Sequence, residues 1–88
     1  MAPQEVLEAV RQRPFEPFRL WLSDGTHHDV RSPDLCMVGT RTVIIGLTAK
    51  DGDDLFERTA WLDMLHITKS EPLPAPTPPQ QGNGQTVG

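Results

Sequence analysis

Phe18, Leu20 and Leu22 alternate with Arg19, Trp21 and Ser23, a period-two pattern that predicts a strand with one buried face and one face turned to water or a partner. Asp24-Gly25 interrupts the pattern and the chain returns as far as Val30, so residues 15–30 read as a β-hairpin. Parity selects its register. A two-residue turn would set Leu22 opposite His27 and Leu20 opposite Asp29, mixing apolar and charged groups on one face. A three-residue loop, Ser23-Asp24-Gly25 with Gly25 left-handed, pairs Phe18 with Val30 and Leu20 with His28 inside and Arg19 with Asp29 outside. The second register is the expected one.

Upstream, residues 3–12 predict a short helix: Pro3 suits a first turn, Glu5 lies near the positive end of the dipole and Arg11 near the negative end. Val6, Leu7 and Val10 fall in one narrow arc, and a helix this short needs that arc covered, with the sheet as its nearest support. Pro14 and Pro17 impose an extended segment anchored by Phe15.

Downstream, Ser32-Pro33-Asp34 breaks the pattern because Pro33 cannot donate to a ladder, and Leu35–Val38 resumes it. Gly39-Thr40-Arg41 signals a second hairpin. Residues 42–47 are the most β-prone run, with Val43, Ile45 and Leu47 on one face and Ile44 on the other. Residues 50–54 read as a loop, 55–61 as a strand, 62–65 as a tight turn and 66–69 as a final strand. The fold class that results is mostly β: an N-terminal helix, then a small, strongly bent antiparallel sheet of five or six strands closing towards a barrel. The domain spans 1–71, and the Pro-, Gly- and Gln-rich residues 72–88 are expected to form a disordered tail.

Composition narrows the function classes. The 88 residues carry eight Lys and Arg against twelve Asp and Glu, a net charge of −4, which disfavours non-specific nucleic-acid binding. One cysteine, Cys36, excludes an internal disulfide and suits a reducing compartment. No apolar run approaches the roughly 20 residues of a membrane span, and acids near the N-terminus do not fit a signal peptide. A cytoplasmic protein with no membrane, metal or cofactor partner is expected.

The runs Pro14-Phe15-Glu16-Pro17-Phe18-Arg19-Leu20, Leu22-Ser23-Asp24-Gly25, Val30-Arg31-Ser32-Pro33-Asp34, Arg41-Thr42-Val43-Ile44-Ile45 and Leu62-Asp63-Met64-Leu65-His66-Ile67-Thr68 resemble a family of very short, uncharacterised bacterial proteins over most of residues 4–71. The resemblance implies a domain boundary and a strand order, and no activity. In topology the helix, the strand ending in Leu-x-Asp-Gly and the tight turn before the last strand are similar to Sm-like barrels, which implies RNA binding or assembly by edge-strand pairing. The Gly-Asp-Asn of that group is replaced by Leu62-Asp63-Met64-Leu65.

Candidate chemistry is sparse. His27 and His28 point to opposite faces of a strand, so only His27 and Asp29 could share an ion, too few for a closed zinc site, with His66 a third histidine of unknown placement. Asp51-Gly52-Asp53-Asp54 resembles half a calcium loop, but Glu57 falls at the seventh position where a complete loop needs a Glu at the twelfth. Cys36, between Leu35 and Met37, reads as an inert core thiol. Pro76-Thr77-Pro78-Pro79 is a PxxP within a tail that reads as passive.

Arg19, Trp21 and Trp61 form the candidate interaction surface, since exposed Trp beside Arg is the combination enriched at binding hot spots. The competing reading covers Trp21 with the N-terminal helix. The expected function is a non-enzymatic interaction or self-assembly module. The alternative is an Sm-like RNA binder, which requires Arg13, Arg19, Arg31, Arg41 and Arg58 to converge on one surface.

Overall fold

The computed structural model describes residues 1–50 and 55–73. Helix α1 (Pro3–Arg11) is followed by β1 (Phe18–Leu22), β2 (His27–Val30), a 3₁₀ turn at Pro33–Leu35, β3 (Cys36–Val38), β4 (Thr42–Thr48), β5 (Phe56–Asp63), a second 3₁₀ turn at Met64–His66 and β6 (Ile67–Pro72). The chain is mostly β with one N-terminal helix, as the pattern predicts. The strands form two antiparallel three-stranded sheets, ordered β2-β1-β6 and β3-β4-β5. The half calcium loop, the PxxP motif and the expected tail from residue 74 onward lie outside the described residues.

Helix α1 begins where the Glu5 carboxylate accepts from the Ala2 N–H at 2.9 Å and the Glu5 N–H donates to the Ala2 carbonyl at 3.0 Å, satisfying groups that a helix start leaves open. It ends where the Arg13 guanidinium donates to the carbonyls of Val10 and Gln12. Val6 is fully buried, and Ala9 and Val10 pack beside it against the core. The apolar stripe therefore follows i, i+3, i+4 spacing, with Leu7 only half-buried at its margin.

The first hairpin has the expected register: Phe18 pairs with Val30, Arg19 with Asp29 and Leu20 with His28. Gly25 adopts φ of 89°, its N–H donating to the Leu22 carbonyl at 2.9 Å, while the Asp24 carboxylate accepts from the Thr26 N–H and hydroxyl. These bonds hold the Asp24 carboxyl below the usual carboxylate range. Phe18, Leu20 and Val30 face inward to meet Val43, Ile45, Leu62, Met64 and Ile67 in one buried cluster. Phe15 is half-buried, its ring edge-on to Phe18 at 6.1 Å.

Within this fold class the strands are divided between two sheets and do not close into a barrel. The Pro33–Leu35 turn separates β2 from β3 at the residue that lacks an N–H, and the ladder does not close. The second 3₁₀ turn, which joins β5 to β6, is held to each sheet by a single main-chain bond: Ser23 N–H to the His66 carbonyl and Met64 N–H to the Arg41 carbonyl, both 2.8 Å. The final strand is also longer than its hydrophobic pattern suggests. It pairs with β1 from Ile67 opposite Leu22 to Pro72 opposite Phe18, with a bulge at Trp21 and Leu22, and Leu73 N–H donates to the Pro17 carbonyl. No helix among the described residues is long and apolar enough to cross a membrane.

Candidate interaction surface

The alternation of β1 sends Arg19 and Trp21 to the outer face of the first sheet, and the registers of its two neighbours decide what surrounds them. One cross-strand row reads His27, Trp21, Lys69; the next reads Asp29, Arg19, Glu71. The Trp21 ring meets His27 edge-on at 4.8 Å between centroids, with the Lys69 ammonium 5.4 Å and the Arg19 guanidinium 5.8 Å from its centre. Both cations face the electron-rich ring. The indole N–H donates to Glu71 Oε1 at 2.6 Å.

Asp29 is the hub of the second row. Arg19 donates to both of its carboxylate oxygens at 2.7 and 3.3 Å, Arg31 approaches Oδ2 at 3.4 Å, and His27 Nδ1 lies 3.6 Å from Oδ1. The hydrogen bond from Arg19 holds the Asp29 carboxyl below the usual carboxylate range, and the same bond raises Arg19. The Trp21 cluster is thus satisfied within the chain: its indole N–H, its ring face and its charged neighbours already have partners. Helix α1 does not cover Trp21. It packs on the opposite face, with Val6 in the cluster that holds Phe18 and Leu20.

Trp61 belongs to the second sheet and is differently placed. It is 70% exposed, its indole N–H donating to the Thr59 hydroxyl oxygen at 3.1 Å. Register puts Met37 opposite Ile44 and Ile44 opposite Trp61, so an apolar row crosses the outer face of β3, β4 and β5. Met37 is 62% exposed. At the end of β5 the row borders a cleft of about 400 Å³ lined by Leu22, Ser23, Asp24, Leu62, Asp63 and His66. Arg19 and Trp21 therefore share one surface and Trp61 occupies another.

The direction of the β5 main chain completes the geometry. Met64 N–H donates to Arg41 O, and alternation along the regular stretch of the ladder then turns the N–H and C=O of Leu62 and Ala60 towards β4. Those of Thr59, Trp61 and Asp63 point the other way. Among the described residues β5 pairs only with β4, so these groups form a free edge directly beneath the exposed indole.

The remaining candidates are scattered. His27 and Asp29 share the outer face, His28 lies opposite Leu20 on the inner one, and His66 sits at the second 3₁₀ turn with Nδ1 3.4 Å from Ser23 Oγ. The described residues contain no group of three or more His, Cys, Asp or Glu placed to hold a metal. Cys36 is buried and free, and burial pushes its thiol up to about 11, which keeps it protonated at neutral pH.

Sequence reasoning missed Lys69 and Glu71 as neighbours of Trp21, and it missed the row linking Met37 and Ile44 to Trp61. Counting through a two-residue Thr40-Arg41 turn, closed by Gly39 opposite Thr42, gives the first half of that row, whereas the three-residue turn read from the sequence shifts it by one; nothing local marks Lys69 or Glu71. The chain matches no family model, no curated protein and no solved structure.

Proposed function

We propose that the chain is a non-enzymatic interaction module working through the outer face and free edge of the second sheet. The observation that carries this reading is Trp61, 70% exposed on an edge strand beside Met37 at 62%. An indole left in water over unpaired main-chain groups costs solubility and invites strand pairing, and proteins usually blunt such edges with charge or proline. Trp is also the residue most enriched where partners bind. The Trp21 surface supports the reading less, because its polar groups are already engaged by Glu71 and Asp29.

The RNA-binding alternative gains no support from the arginines. Asp29 engages Arg19 and Arg31, Arg13 caps α1, and Arg41 lies in a different cleft from the one that Arg31 and Arg58 share with Asp29. Light scattering over a wide concentration range, combined with affinity capture by the full chain, tests the interaction reading. Self-association or a partner whose capture is lost on substituting Trp61 supports it; a strict monomer that captures nothing refutes it.

A further inference from the structure

Building on that interaction reading, we infer that the partner of β5 is a second copy of the same strand, paired antiparallel across a two-fold axis that passes through Trp61. A two-fold contact of this kind is closed and self-complementary. Because paired residues must lie on the same face, a self-paired strand is centred on a residue, and the side chains of β5 discriminate among the centres. Centring on Arg58 sets two guanidinium groups against each other. Centring on Ala60 sets Glu57 opposite Asp63 of the second copy, twice, and like charges directly opposite destabilise a sheet. Centring on Thr59 sets Glu57 opposite Trp61, and centring on Leu62 leaves only the last few residues of the strand to pair.

Centring on Trp61 removes every like-charge contact. Trp61 faces its own copy, Thr59 faces Asp63, and all three are residues whose main-chain groups point to the free edge, so each pair closes two N–H···O=C bonds. The Thr59 hydroxyl oxygen already accepts from the indole at 3.1 Å, leaving its O–H to donate to the opposing Asp63. Asp63 spends one oxygen on the Leu65 N–H at 2.9 Å and keeps the other. The apolar row then runs unbroken across both copies: Met37, Ile44, Trp61, then Trp61, Ile44, Met37. An interface of this length belongs to the size class below about 1,200 Å² of total buried surface, so the dimer is weak and driven by concentration.

Sedimentation velocity of the full chain from low micromolar to millimolar concentration tests the inference. The wild type shifts from monomer to dimer. Trp61→Lys returns it to monomer, as does Thr59→Pro, which removes an N–H directed away from β4 and leaves the internal ladder intact; circular dichroism confirms that both variants fold. In a Cys36→Ala background, Trp61→Cys cross-links across the axis under mild oxidation and Glu57→Cys does not. A wild-type chain that stays monomeric at millimolar concentration overturns the dimer, and if affinity capture still finds a Trp61-dependent partner, the interaction reading survives alone. A dimer that persists in Trp61→Lys and disappears in Trp21→Ala also overturns it, by moving the contact to the other sheet.

Discussion

Adjacent residues on β5 give the sharpest contrast between core and surface, and the pair Leu62→Ala and Trp61→Ala measures it. Leu62 is 4% exposed and lies in the buried cluster, while Trp61 is 70% exposed. Truncating a buried leucine costs about 2.7–5.0 kcal/mol, from lost transfer energy and the cavity left behind. With most of its surface already in water, Trp61 loses no more than about 1.5 kcal/mol of burial. A small domain has roughly 0.05–0.15 kcal/mol of stability per residue, so Leu62→Ala removes a large share of the total and Trp61→Ala a small one. Urea unfolding followed by far-ultraviolet circular dichroism gives both values on one scale, and Trp21 remains as a fluorescence reporter in each variant. Equal losses, or a larger loss for Trp61→Ala, would mean that the indole is a core residue and would refute the placement of the β5 faces.

Three further outcomes follow from the geometry. Gly25 has φ of 89°, and a side-chain carbon added there would meet nothing within 4 Å, so Gly25→Ala costs about 1–2 kcal/mol from backbone strain alone; a neutral change in the urea midpoint contradicts the left-handed turn. Asp29 titrates lower when folded than its unfolded value of about 3.9, so its contribution is complete above that value and is lost as pH falls through the lower folded one. Acid unfolding should therefore weaken the wild type more steeply than Asp29→Asn in that window, and identical pH dependences would exclude the Arg19–Asp29 bond as a source of stability. The Cys36 thiol, pushed up to about 11, is only about one part in a thousand thiolate at pH 8; a disulfide reagent labels it at the rate of unfolding, and prompt labelling of the native chain contradicts its burial.

What can be read from the chain is what depends on neighbours in sequence. The first hairpin follows from turn length and parity alone, and Gly25 supplies the one left-handed residue that the three-residue loop requires. Val43 and Ile45 are readable for the same reason, being alternate apolar residues in an unbroken β-prone run. The pairing of β6 with β1 is not, because Thr68, Lys69, Ser70 and Glu71 are polar on both faces of the strand and carry no period-two signal. Its consequence, the clasp of Lys69 and Glu71 on Trp21, is hidden with it, and a helix is the only local candidate for covering that ring. The division into two sheets turns on Pro33: its missing N–H is visible, but whether a chain bends or breaks there depends on the packing beyond it. Trp61 stands out as a residue, and its setting needs two registers at once, β3 on β4 and β4 on β5.

Residue-resolved amide hydrogen exchange along β5 addresses the free edge itself, at low and at high protein concentration. The N–H groups of Ala60 and Leu62 should be protected throughout by β4, while those of Thr59, Trp61 and Asp63 exchange freely in dilute solution and become protected as concentration rises. A Trp61 amide already as protected as that of Leu62 in dilute solution, or one that stays open at the highest concentration, would contradict an unpaired edge that seeks a second copy of itself.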